Sequence, residues 1–113
     1  MTDAVPQIGP AEAVRLVEHG AVLLDVREDD EWRAGHAPQA VHEAMSRLTA
    51  SAPALTSGSP LVIICRSGRR SDQVAAALRQ LGLDAYNLAG GMQAWQSVGH
   101  EVVTPDGTPG TVI

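Results

Sequence analysis

Short apolar runs alternate with one-sided helical patterns along most of the chain. Residues 61–64 are wholly apolar and mostly β-branched, which is typical of a strand buried on both faces of a parallel sheet. Residues 21–24 and 85–88 predict two more strands. Weaker signals predict three short strands, at residues 7–8, at Val41 and at residues 100–103.

Helical patterns separate these strands. Residues 11–18 and 72–81 each place their apolar side chains on one face, and shorter helical turns are predicted at residues 45–48 and 92–98. Ser71 and the aspartate after it are residue types that favour the N-cap, so the helix over 72–81 is expected to start there. Alternating strands and helices predict an α/β domain with a largely parallel sheet.

The strand at residues 61–64 leads directly into the only cysteine, Cys65, which is followed by a polar loop, Arg66-Ser67-Gly68-Arg69-Arg70-Ser71. Parallel strands bind ligands beyond their carboxyl ends, and the helix after the loop directs its free N–H groups and positive dipole end there. Helix N-termini and neighbouring cations lower a thiol pKa and favour the nucleophilic thiolate. Gly68 lets the backbone curl, so that successive loop N–H groups form an anion-binding nest.

Cys65 therefore has two interpretations. A thiolate in a cradle that attracts an anion suits attack on a sulfur atom carried by an anionic donor. An inert core thiol is the alternative, because free cysteines are often buried. Three arginines and two serines within the next six positions favour the reactive interpretation, since they are an unusual sequel to a core cysteine.

The composition narrows the class of protein. With 113 residues, one domain is expected, and 44% apolar with 19% charged residues is an ordinary globular balance. A net charge of −5 argues against nucleic-acid binding, and a single cysteine excludes an internal disulfide and a cysteine-rich zinc site. The first six residues carry no basic or apolar run and no segment is apolar enough for a span, so we expect no signal peptide, no membrane association and a cytoplasmic location.

The two ends of the candidate domain differ. We predict a single domain over residues 1–103 and a flexible tail over residues 104–113, which contains two prolines and two glycines.

No metal site is expected, because the consecutive carboxylates of residues 28–31 would point in different directions and are typical of a solvated first helical turn. No two histidines have the spacing of metal ligands.

Four short motifs occur in order along the chain. They are Leu24-Asp25-Val26-Arg27-Glu28, then Glu31-Trp32 with Gly35-His36-Ala37-Pro38, then the loop from Cys65 to Ser71, and last Leu88-Ala89-Gly90-Gly91-Met92 with Ala94-Trp95. Together they resemble the single-domain rhodaneses, a sulfurtransferase family, over about residues 8–103. The resemblance implies a rhodanese-like three-layer domain, in which helices flank a mostly parallel, five-stranded sheet.

The resemblance also implies a persulfide mechanism. Cys65 would attack the outer sulfur of a donor such as thiosulfate, release sulfite and pass the sulfur to cyanide or a cellular thiol. The loop backbone would cradle the persulfide or the donor anion, and three arginine side chains are candidates to hold that anion. The cradle consists of the N–H groups of Arg66, Ser67, Gly68, Arg69 and Arg70, and the candidate side chains are those of Arg66, Arg69 and Arg70. This scheme needs no metal or organic cofactor.

Two alternatives stay open on the sequence. The chain is also compatible with a sulfur carrier or recognition module whose cysteine takes sulfur from a protein partner. A related group of phosphatases and arsenate reductases has a longer loop, with an arginine six positions after the cysteine. Ser71 occupies that position here and Arg70 comes one step early, so the shorter loop favours a sulfur atom over a bulkier phosphoryl group.

Other residues are expected to support the site. Asp25 and Arg27 lie at a strand end, where we predict that they tie the loops together by ion pairing and hydrogen bonds. Ser71 is predicted to support the loop at the start of its helix. Gln39 and His42 depart from the pattern of the family, which affects the wall opposite the cysteine.

Overall fold

The computed structural model describes residues 4–113. The chain forms five strands, namely β1 (Gln7–Ile8), β2 (Val22–Asp25), β3 (Val41–His42), β4 (Leu61–Ile64) and β5 (Ala85–Leu88). The chain also forms five α-helices, namely α1 (Pro10–Glu18), α2 (Asp29–Ala34), α3 (Pro53–Thr56), α4 (Arg69–Gln80) and α5 (Gly91–Ser97). One turn of 3-10 helix covers Met45–Arg47.

The five strands form one sheet in the order β1-β5-β4-β2-β3, and every strand pair is parallel. The prediction of a five-stranded, mostly parallel sheet is therefore confirmed. In its centre, Ile63 of β4 lies opposite Leu24 of β2 and Asn87 of β5. Because parallel strands end at the same edge, the residues that follow β2, β4 and β5 meet on one side of the domain.

The central strands are buried on both faces, which gives three layers. Along β4, Leu61 and Ile63 pack with α3 and α4, whereas Val62 and Ile64 pack with α1 and α5. All four side chains are at most 1% exposed. Burial of an aliphatic side chain of this size contributes about 1.5–3 kcal/mol, so β4 anchors both halves of the core.

Two local predictions are wrong. Helix α4 begins at Arg69, three residues earlier than predicted, because Gly68 at φ +100° takes the N-cap position. Ser71 is therefore in the first turn, where its hydroxyl faces other side chains rather than capping the backbone. Residues 100–103 add no strand to the sheet: Val103 forms single antiparallel bridges with His36 and Pro109. Helix α3 has no counterpart among the predicted elements.

Residues 104–113 fold back toward α2. The Gly110 N–H donates to the Val102 carbonyl at 2.8 Å, and the Thr111 N–H donates to the Ala34 carbonyl at 2.9 Å. Val112 packs against the core cluster of α1 and α5. These contacts give the predicted tail a defined position, whereas its mobility and the domain boundary at residue 103 stay predictions.

Candidate active site

The sulfur of Cys65 is surrounded by hydrogen-bond donors. Cys65 directly follows β4 and is 1% exposed. The Gly68 N–H donates to Sγ at 3.1 Å, and the Ser71 hydroxyl oxygen lies 3.2 Å from Sγ. Burial raises the pKa of the thiol, but the Ser71 hydroxyl and the N–H groups of Ser71, Gly68 and Ser67 more than offset it, so the pKa of Cys65 lies below its ordinary value.

All of these donors come from the predicted loop, which runs from Arg66 to Ser71. Of the five residues predicted to form the cradle, Gly68 donates its N–H to the sulfur, and the N–H of Ser67 helps to lower the pKa of Cys65. Ser71, predicted to support the loop, places its hydroxyl at the sulfur, and its N–H group also helps to lower the pKa of Cys65. A sulfur beside the N-terminus of α4 also gains from the positive end of the helix dipole.

Glycines let the loop approach α5 closely. A Cβ on Gly68 would lie 3.0 Å from the Gly90 nitrogen, and a Cβ on Gly91, which has φ +57°, would collide with the carbonyl of Cys65. The first turn of α5 then donates to the loop: the Met92 N–H binds the Cys65 carbonyl at 2.8 Å, and the Gln93 N–H binds the Arg66 carbonyl at 3.0 Å. The motif at residues 88–92 therefore fixes the cysteine loop from its far side.

A buried polar chain supports the loop from β5. Asn87 is 2% exposed, and its Oδ1 lies 2.6 Å from the Ser71 hydroxyl oxygen. Its Nδ2 donates to the Gly68 carbonyl at 3.1 Å and to Gln7 Oε1 at 2.7 Å. Gln7 in turn donates to Asp72 Oδ1 at 2.7 Å. Sequence reasoning missed Asn87 and Gln7, although an asparagine inside an otherwise apolar strand was a signal.

The three loop arginines have different surroundings. Arg70 makes two hydrogen bonds of 2.8 Å to the carboxylate of Glu31, which lower the pKa of Glu31 and raise the pKa of Arg70. Arg66 and Arg69 are exposed, and within residues 4–113 neither side chain has an ion-pair or hydrogen-bond partner. The free positive charge at the loop therefore comes from Arg66 and Arg69.

Asp25 and Arg27 form a buried ion pair at the end of β2. Both are fully buried, and Arg27 Nη2 donates to Asp25 Oδ2 at 2.8 Å and to the Gly35 carbonyl at 2.7 Å. The pair joins β2 to the loop after α2, which agrees with the predicted ion pairing. Arg27 Nη1 is buried and has no hydrogen-bond partner among the described residues.

A stacked aromatic wall lies beside this ion pair. The Trp32 ring stacks on His36 at 3.5 Å and on His42 at 4.7 Å between ring centroids. His36 Nδ1 donates to the Trp32 carbonyl at 2.8 Å, and His42 Nε2 donates to the Arg27 carbonyl at 2.6 Å. His42, which departs from the family pattern, is thus bound to the backbone of Arg27, whereas Gln39 lies exposed in a turn.

A family model described as the Rhodanese-like domain matches residues 9–98. The chain belongs to the rhodanese family. The matched range includes the cysteine loop, the end of β2 and the start of α5, which the structure brings together at one edge of the sheet. This confirms the resemblance seen in the sequence.

Similar proteins carry sulfurtransferase names. A putative sulfurtransferase of Bacillus subtilis, YtwF, is 43% identical over 74 residues, which cover 66% of this chain and 72% of the relative. The thiosulfate sulfurtransferase GlpE of Pseudomonas paraeruginosa is 33% identical over 99 residues, which cover 87% and 90% of the two chains. A crystal structure of a rhodanese-related protein from Thermoplasma volcanium has a TM-score of 0.78 at 30% identity, covering 87% of this chain and 97% of that chain.

Among residues 4–113, no three His, Cys, Asp or Glu side chains are grouped closely enough to hold a metal ion. No helix in the same range has both the length and the apolar character that crossing a membrane requires.

Proposed function

We propose that this rhodanese is a sulfurtransferase that carries sulfane sulfur on Cys65 as a persulfide. The observation that supports the proposal is the donor set around Sγ, with the Gly68 N–H at 3.1 Å and the Ser71 hydroxyl oxygen at 3.2 Å. Donors arranged in this way stabilise a negative sulfur before and after the transfer. An inert core thiol would gain little stability from these donors, because a neutral S–H group is only a weak hydrogen-bond acceptor.

The first half-reaction is attack on an anionic donor, for which thiosulfate is the proposed example. The Cys65 thiolate attacks the outer sulfur, a new S–S bond forms, and the S–S bond of thiosulfate breaks. Sulfite leaves with the electron pair of that bond. In the second half-reaction cyanide or a cellular thiolate attacks the outer sulfur of the persulfide, and the Cys65 thiolate is regenerated. Charge and electron count balance in both steps, and no cofactor takes part.

The electrostatics of the loop suit a small anion. The whole chain carries a net charge of −5, yet Arg66 and Arg69, both exposed on the loop that follows Cys65, have no ion-pair partner among residues 4–113. A local cationic patch of this kind attracts an anion toward the nucleophile. The N–H cradle of residues 66–70, predicted to bind the donor or the persulfide, is part of the proposal. Arg70 is a weaker candidate for the donor, since Glu31 already holds its guanidinium.

The near-complete burial of Cys65 restricts what can reach it. At 1% exposure, the sulfur is accessible to a narrow terminal atom rather than to a bulky group. The outer sulfur of thiosulfate or of a small persulfide is such an atom.

Cellular thiols are the proposed acceptors, and the cytoplasm, where thiols are kept reduced, is the proposed location.

The test is the intact mass of the protein after treatment with thiosulfate. Because Cys65 is the only cysteine, a gain of one sulfur atom that cyanide removes, and that Cys65→Ser lacks, would establish the first half-reaction. No gain in folded, reduced protein would refute thiosulfate as the donor. If a persulfide donor loads Cys65 and thiosulfate does not, the result would instead indicate a carrier that works with a protein partner.

A further inference from the structure

The hydroxyl of Ser71 lies between two acceptors but has one hydrogen. Its oxygen is 3.2 Å from Cys65 Sγ and 2.6 Å from Asn87 Oδ1. A serine hydroxyl donates a single hydrogen bond, so it serves the sulfur or the amide oxygen at any moment, but not both. The arrangement links the protonation state of the cysteine to the direction of one O–H bond.

The orientation of the Asn87 amide is fixed by its other partners. Nδ2 contacts the Gly68 carbonyl at 3.1 Å and Gln7 Oε1 at 2.7 Å, and both of these atoms are acceptors. Gln7 cannot flip either, because its Nε2 contacts the Val5 carbonyl at 3.3 Å and Asp72 Oδ1 at 2.7 Å. Since both nitrogens must donate, Oδ1 of Asn87 faces Ser71 and can only accept.

The two states of Cys65 then use the Ser71 hydrogen differently. When Cys65 is a thiol, its S–H group donates to the Ser71 oxygen, and the Ser71 hydrogen binds Asn87 Oδ1. When the thiol loses its proton to solvent, the hydroxyl rotates and its hydrogen binds the thiolate. Asn87 is 2% exposed, so bulk water does not replace the hydrogen that Oδ1 loses. An acceptor left unsatisfied in a buried place opposes ionisation.

We propose that Asn87 is a positioning residue that competes with the Cys65 sulfur for the single hydroxyl hydrogen of Ser71, and so keeps part of Cys65 in its thiol form. The inference deepens the proposed function, because the thiolate fraction matters for sulfur transfer only if Cys65 is the nucleophile. In physical terms, Ser71 activates the sulfur and Asn87 moderates that activation.

Charged side chains also lie on the elements that surround the cysteine loop. They are Asp25 at the end of β2, Arg27 just after that strand, Glu31 from α2, and Arg66, Arg69 and Arg70 from the loop and the start of α4. Asp72 of α4 is held by Gln7, and β1 and β5 contribute neutral amides at this point. None of these charges changes in the variants below, so their contribution cancels when variants are compared with the wild type.

The experiment follows the ultraviolet absorbance of the thiolate against pH, with Cys65→Ser subtracted as the blank. Asn87→Leu should move the midpoint to lower pH and raise the thiolate fraction at a fixed pH below the midpoint by roughly three- to tenfold. Ser71→Ala should move it to higher pH, and the double variant should behave as Ser71→Ala alone. Tyr86→Phe, which removes a hydroxyl from the neighbouring position of β5, is the matched control and should leave the midpoint unchanged.

Either of two results would overturn the proposal. One is a midpoint that stays or rises in Asn87→Leu, and the other is an Asn87→Leu shift that persists when Ser71 is alanine. If Asn87→Leu fails to fold, the side-chain amide resonance of Asn87 in the wild type decides the matter. It should titrate with the midpoint of Cys65 and lose this response in Ser71→Ala, whereas an unchanged response in Ser71→Ala would refute the competition.

No sulfur donor is present in these measurements. A failure of thiosulfate to load Cys65 would therefore leave the titration result intact. Conversely, persulfide formation with an unshifted Asn87→Leu midpoint would support the proposed function and refute the competition for the Ser71 hydrogen.

Discussion

Replacing Asp25 with asparagine is expected to destabilise the fold by about 3–5 kcal/mol, because it leaves the Arg27 guanidinium charged, buried and without a counter-ion. The Asp25 carboxylate accepts from the backbone N–H, Nε and Nη2 of Arg27 at distances of 2.8–3.1 Å. Both side chains are 0% exposed, and Arg27 Nη1 already lacks a partner among the described residues. A domain of this size usually has a free energy of unfolding of about 5–15 kcal/mol, so the loss would be a large part of the total.

Urea unfolding followed by tryptophan fluorescence measures this loss. Glu12→Gln is the control, because it breaks an ion pair with Arg15 whose side chains are 45% and 68% exposed, and the unfolding midpoint should hardly move. A double variant, Asp25→Leu with Arg27→Met, should recover most of the stability, since it removes both buried charges. A loss in Asp25→Asn no larger than that of Glu12→Gln would refute the reasoning.

Three further outcomes follow from the site. Gly91→Ala should cut thiosulfate turnover by at least about tenfold, because a Cβ at φ +57° meets the carbonyl of Cys65, and normal kinetics would contradict the close packing of loop and helix. Arg69→Ala should raise the KM for thiosulfate by roughly three- to tenfold, and Arg70→Ala by less, because Glu31 already holds Arg70; equal effects would argue against this difference. The rate of persulfide formation should rise with pH to a midpoint below the 9.0 of an ordinary thiol, and stopped-flow measurements that place the midpoint higher would contradict the donor set. Because folding lowers this pKa, the thiolate stabilises the fold above the unfolded thiol pKa, and that stability is lost as pH falls through the folded pKa.

The sheet and the position of Cys65 at its edge could be predicted because local pattern determines both. A wholly apolar run such as residues 61–64 almost always forms a strand that is buried on both faces. Cys65 directly follows this strand, so the topology of the sheet specifies most of its neighbours. The predicted start of α4 is wrong because serine caps a helix only when its hydroxyl has no stronger hydrogen-bond partner elsewhere. Ser71 has two such partners, and Gly68 takes the cap through its backbone conformation.

The supporting contacts could not be predicted because they join distant parts of the chain. Glu31 and Arg70 are 39 positions apart, and Gln7 and Asn87 are 80 apart, so no local rule pairs them. The consecutive carboxylates of residues 28–31 were interpreted as a solvated helical turn. The structure confirms the helical turn, since Asp29, Asp30 and Glu31 form the first turn of α2, but Glu31 is mostly buried: it completes a capping box with Glu28 and holds Arg70.

The loop is positioned by its main chain. The carbonyls of Cys65, Arg66 and Gly68 are bound by Met92, Gln93 and Asn87, and the Gly68 N–H binds the sulfur. The side chains of residues 66, 67 and 69 point outward and carry none of these bonds. Natural selection or a mutant library can therefore exchange those three side chains without displacing Cys65, which lets one scaffold change the charge and shape of the surface at the loop while the backbone around the sulfur is retained.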